Sequence, residues 1–169
     1  MSNILMALDP QVLVPADCCG TSSVKKKFTG WTWVTEKPTW LAVVAAVIRD
    51  DAGRLLLQQG LPGKPHAGLW EFPGGKVEVE EDPRLALRRE VAEELALSLD
   101  EMLMRPAGFA DDPGDEGRPA IVLTLYECPA WHGQPRSCEG QAWNWFTPSE
   151  AAGLPMPPID RALLAGLAA

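Results

Sequence analysis

Three glutamates, Glu90, Glu93 and Glu94, stand at i, i+3 and i+4 in the stretch RREVAEELAL. At about 100° per residue they share one arc of a helix, beside an apolar stripe of Leu87, Val91 and Leu95. Two kinds of chemistry suit that spacing. The acids can be the solvated face of an amphipathic helix. They can also be oxygen ligands for a hard divalent cation such as Mg²⁺, which prefers carboxylates. Spacing alone leaves both open. Downstream, Glu139-Gly140-Gln141 puts another acid in a polar stretch.

The elements that must hold these residues are legible locally. Asp82 suits an N-cap and Pro83 the first helical position, so a helix runs from there to about residues 96–98. Leu41–Ile48 reads as a buried strand and Arg54–Gln59 as a second one, joined by the turn residues of Asp50–Gly53 into a hairpin. Residues 61–68 form a Pro/Gly loop. A short apolar segment from Leu69 ends at Gly74-Gly75-Lys76. Ala107–Ala110 and Ala120–Glu127 follow as strands, and Ala142–Phe146 as a short Trp-rich one. Thr147-Pro148-Ser149-Glu150 is a capping box opening a short helix, and a last helix covers Ile159–Leu167. Strands and helices interleave without βαβ regularity, which indicates an α+β fold with a mixed sheet covered by helices.

The chain has 169 residues, 46% hydrophobic and 22% charged, with a formal net charge of −8. That length is one domain, or one domain with an extension, and it can bury a core without disulfides. Residues 1–38 read as an extension of unknown role, holding Cys18-Cys19, a lysine run (Lys25–Lys27), Trp31 and Trp33; residues 39–169 read as the domain. Large aromatics near the join, Trp40 included, are expected to pack over it. The acidic balance argues against stable binding to a nucleic-acid polymer. No apolar run reaches the length of a membrane helix. The four cysteines have no zinc-type spacing, and no signal peptide is visible, so a cytoplasmic monomer or homodimer is expected.

Taken whole, the string GKVEVEEDPRLALRREVAEELAL resembles the Nudix box of the MutT/Nudix hydrolases, G-x5-E-x7-R-E-U-x-E-E-x-G-U. Gly75, Glu81, Arg89, Glu90, Val91, Glu93, Glu94 and Leu97 fall on pattern, and Ala96 alone departs, standing where the family has Gly. The resemblance covers about residues 41–167 and implies the Nudix fold, a mixed sheet sandwiched between helices. It implies Mg²⁺ (or Mn²⁺) held by Glu90, Glu93, Glu94 and the Gly74 carbonyl, with Arg89 pairing with Glu81. Glu139 becomes a further ligand or the general base, a role left open between Glu139 and Glu90. The implied reaction converts a nucleoside triphosphate to monophosphate and pyrophosphate, in nucleotide-pool sanitisation. Phe72 and Asp160 fall where relatives hold the base. Asp160 stands where 8-oxo-dGTP specialists carry Asn and cytidine-type relatives often carry Asp; it also suits an N-cap. Lys76 is a phosphate contact or a solvated lysine, and His66 a substrate or surface residue. Gly60 replaces an Arg that many relatives direct at the substrate. The alternatives are a Nudix hydrolase of a dinucleotide or nucleotide sugar, and a non-catalytic Nudix-like module, which the retained carboxylates disfavour.

Overall fold

The structure is a computed structural model that describes residues 27–28, 31–32 and 40–167. The backbone divides into two compact units, Met1–Lys37 and Pro38–Ala169. In the first, β1 (Lys27–Phe28) and β2 (Trp31–Thr32) pair antiparallel. Cys18, Cys19, Lys25, Lys26 and Trp33 lie outside the described residues.

The second unit contains β3 (Trp40–Val47), β4 (Leu55–Gln59), β5 (Trp70–Glu71), β6 (Gly74–Lys76), α1 (Pro83–Leu95), β7 (Ser98–Leu99), β8 (Arg105–Asp112), β9 (Ala120–Glu127), β10 (Trp131–His132), β11 (Trp143–Phe146), α2 (Pro148–Ala152) and α3 (Pro158–Leu167). A four-stranded mixed sheet runs β6-β3-β9-β8, with β3 and β9 parallel at its centre. A three-stranded antiparallel sheet runs β11-β4-β5. Strand alternation in β3 feeds two cores. Val44 and Ala46 point to the α1 side with Leu87, Val91 and Leu95. Ala45 and Val47 point the other way, to Leu163 and Leu164 of α3. The sheet is therefore sandwiched between helices, as expected.

Helix α1 starts as its sequence requires. Asp82 accepts from the N–H of Arg84 (2.9 Å) and Leu85 (3.4 Å), and Pro83 opens the helix. It ends on Ala96, which sits in the left-handed region at φ 56°. The Thr147–Glu150 capping box forms on α2.

Three expectations need correction. The hairpin between the first two long strands forms only at its turn, where an antiparallel Arg49–Leu55 bridge and the bonds from Leu56 N–H to the Ile48 carbonyl (3.0 Å) and from Asp50 N–H to the Arg54 carbonyl (3.1 Å) join them. Beyond it β3 has both edges occupied, by β6 and β9, so β4 turns away and pairs with β11 and β5. Asp160 is not an N-cap, because α3 begins at Pro158 and Asp160 lies within its first turn. Trp40 is only partly covered, at 43% exposure.

Candidate active site

Arg89 organises the acidic face of α1. Its Nε and Nη2 grip Glu81 Oε1 and Oε2 at 2.9 and 2.8 Å, a bidentate pair. Nη1 reaches Glu90 Oε1 at 2.9 Å and Glu93 Oε2 at 3.3 Å, and Nη2 also donates to the Lys76 carbonyl at 3.2 Å. One guanidinium thus ties the loop before α1, the helix and β6 together. The guanidinium and the Glu78 amide hold the Glu81 carboxyl down at about 2, and the Glu81 and Glu90 carboxylates push Arg89 up.

Gly74 and Gly75 bring β6 close to these acids. A Cβ on Gly75 would overlap the Glu90 carboxylate, and one on Gly74 would overlap the Val44 carbonyl. Glu94 lies deeper. Its Oε2 accepts from Gln58 Nε2 at 2.7 Å. Burial raises its carboxyl to about 7; the Gln58 amide opposes that rise, while the charges of Glu90 and Glu139 add to it. The field of Glu139 therefore reaches Glu94 although its own side chain is exposed. Buried Gln141 sets that loop: its Nε2 donates to the Glu94 carbonyl (2.7 Å) and its Oε1 accepts from Glu139 N–H (3.1 Å).

A cavity of about 300 Å³ opens here, with Glu90, Glu94, Gly74, Gly75, Lys76, Gln58, Glu71, Lys64 and His66 in its lining. Glu71 is the acid that sequence reasoning missed. Burial, then the charges of Asp160 and Glu94, raise it to about 8, with Lys64 pulling the other way. Flanked by Trp70 and Phe72 on a short strand, it carries no spacing signal in the sequence.

Not every expected residue reaches the cavity. Glu93 turns to solvent, 57% exposed, and stays on Arg89. Glu81, Arg89 and Glu139 are not in the lining. Phe72 and Asp160, 3% and 4% exposed, lie outside the lining as well. Asp160 Oδ1 accepts the Phe72 N–H at 3.0 Å, and burial raises its carboxyl to about 6.

The model of the NUDIX domain matches residues 39–167. The chain belongs to the Nudix family. Over 124 residues it is 40% identical to CTP pyrophosphohydrolase of Escherichia coli, covering 73% of this chain and 88% of that protein. Over 125 residues it is 32% identical to 8-oxo-dGTP diphosphatase of Haemophilus influenzae, covering 73% and 88%. The crystal structure of a MutT NUDIX hydrolase from Burkholderia pseudomallei superposes with a TM-score of 0.67 at 30% identity, covering 76% of this chain and 98% of that one.

Nudix hydrolases use divalent metal ions, and the donors present here fit one: carboxylate oxygens of Glu90 and Glu94 and the Gly74 backbone. Beside them the buried Gln58 Oε1 has no hydrogen-bond partner among the described residues. Among the described residues no three acids, histidines or cysteines are gathered as a finished cage. The reason is visible in the pairing. Glu90 and Glu93 are turned onto Arg89 and Glu94 onto Gln58, so the ligand set has the right chemistry but is spread over its partners. Among the described residues no helix is long and apolar enough to cross a membrane.

Proposed function

We propose that this Nudix protein is a Mg²⁺-dependent nucleoside triphosphate pyrophosphohydrolase that releases a nucleoside monophosphate and pyrophosphate, in nucleotide-pool sanitisation. The observation that carries it is the cavity where Glu90, Glu94 and the Gly74 backbone meet, in a chain 40% identical to a CTP pyrophosphohydrolase. Glu90, Glu94 and the Gly74 carbonyl hold the cation, with Glu93 and Glu139 joining from its exposed side. When bound, the cation offsets the phosphate charge and lowers the pKa of an attacking water. Arg89, braced by Glu81, fixes the direction of Glu90. Glu139 serves as general base: among the described residues its carboxylate has no hydrogen-bond partner, whereas Glu90 is engaged by Arg89. Lys76 and Lys64, both in the cavity lining, contact the polyphosphate.

A cytidine-type base is favoured over 8-oxo-dGTP by the 40% identity to a CTP pyrophosphohydrolase. Asp160, buried outside the cavity lining, contributes by holding Phe72 in place through its N–H. The protein works in the cytoplasm as a monomer or homodimer, behind an N-terminal extension of about 38 residues that takes no part in the chemistry. A product-resolved assay with CTP, dCTP, 5-methyl-dCTP and 8-oxo-dGTP, with Mg²⁺ and with EDTA, tests the reading. The expected result is monophosphate plus pyrophosphate, only with Mg²⁺, fastest on a cytidine nucleotide. Orthophosphate as the sole phosphate product would refute it.

A further inference from the structure

Gln58 ends a run of buried leucines on β4, the central strand of its sheet, and is itself 3% exposed. Its backbone lies between Trp143 on β11 and Glu71 on β5. An apolar residue would fill that place at no polar cost. Instead the side-chain amide spends its one short contact, Nε2 to Glu94 Oε2 at 2.7 Å, on a carboxylate of the cavity. Its Oε1 is left buried without a hydrogen-bond partner, the only such side-chain atom among the described residues. A buried acceptor without a donor is a standing penalty, and a residue kept in spite of it has a job that stability does not explain.

We propose that Gln58 is a positioning residue of the cation site, which holds the Glu94 carboxylate aimed into the cavity. The inference rests on the metal-dependent reading above and adds to it a residue that never touches the reacting atoms. Its geometry gives Glu94 one preferred direction. Without the amide, a glutamate on α1 is free to swing to another partner, as Glu93 has done toward Arg89. Outer partners of metal ligands of this kind change metal affinity by about 10–100-fold when removed.

The test is a double-mutant cycle on Mn²⁺ affinity, measured by calorimetry on the full chain without nucleotide. The proteins are wild type, Gln58→Met, Glu94→Gln and the double variant, each also melted in EDTA. Methionine keeps the volume and removes both polar atoms. Three results are expected together. Gln58→Met weakens Mn²⁺ binding about tenfold. It melts in EDTA no lower than wild type, because the unpaired oxygen has gone. In the Glu94→Gln background it has no further effect on Mn²⁺ affinity. A variant that fails to fold or melts lower in EDTA while binding Mn²⁺ as wild type does would overturn the proposal in favour of a structural glutamine. Equal loss in both backgrounds would overturn the action through Glu94. Wild type that binds no Mn²⁺ would instead sink the proposed function itself.

Discussion

Arg89 and Glu81 meet through two parallel hydrogen bonds, 2.9 and 2.8 Å long. That pair fixes the guanidinium plane, and the plane decides where Nη1 meets Glu90 and Glu93. A lysine supplies the charge but not the fork. Arg89→Lys is therefore expected to fold and to lose at least about tenfold in kcat, the cost of a single misplaced contact of about 1.4 kcal/mol. Steady-state kinetics beside a melting curve check this. Wild-type kcat in Arg89→Lys would show that charge alone suffices.

Ala96 ends α1 in the left-handed region, at φ 56°. A Cβ there is strained by about 1 kcal/mol, and glycine is not. Ala96→Gly should raise Tm by about 3 °C with unchanged kcat. This explains physically why the Nudix pattern has glycine at that step, and it makes the departure at Ala96 a matter of stability rather than of chemistry. A fall in Tm would mean that the loop around Gly133, which packs on the Ala96 carbonyl, sets the conformation instead.

What could be read from sequence follows the range of the forces involved. Asp82-Pro83 and Thr147–Glu150 act within one helical turn, so α1 and α2 were visible in advance. The Asp50–Gly53 turn is a local signal and the hairpin closes there, whereas the occupation of both β3 edges by β6 and β9, which stops the pairing from extending, is not local. The box glutamates announce themselves by spacing. That Glu90 and Glu94 line the cavity while Glu93 faces solvent depends on Arg89, Gly75 and Gln58, which meet them only in the fold. Glu71 was hidden by its aromatic neighbours.

Stability should depend on pH in a direction set by three acids, Asp160 buried and Glu94 and Glu71 half-buried. Burial raises Asp160 to about 6, Glu94 to about 7 and Glu71 to about 8. Each binds its proton more tightly folded than unfolded. Their stabilising contribution is complete below the ordinary carboxylate range and is lost as pH rises through these values. The metal-free protein should therefore melt higher near pH 5 than near pH 8. Mg²⁺ binding is favoured when Glu94 is ionised, so its stabilisation should be larger near pH 8. Melts in EDTA and in Mg²⁺ across that range check both signs. A flat EDTA profile would refute the burial of these charges.

Gly60 has no side chain to offer the substrate, and the loop after it shows what replaces one. Gly60 N–H donates to the Leu69 carbonyl at 2.9 Å, and Gly68 N–H returns to the Gly60 carbonyl at 2.8 Å. The loop closes so tightly that a Cβ on Gly60 would strike the His66 carbonyl. That closure delivers Lys64 to the cavity lining, where its charge acts on Glu71. A flexible exposed lysine contributes to holding a polyanion more than to the chemical step. Lys64→Ala should raise KM for a nucleoside triphosphate by about tenfold, the equivalent of about 1.4 kcal/mol, with kcat within about twofold. Gly60→Arg should not rescue it, because the side chain has no room while the loop is closed. Unchanged KM in Lys64→Ala would remove the loop from substrate binding, and a rescue by Gly60→Arg would show that the loop opens at little cost.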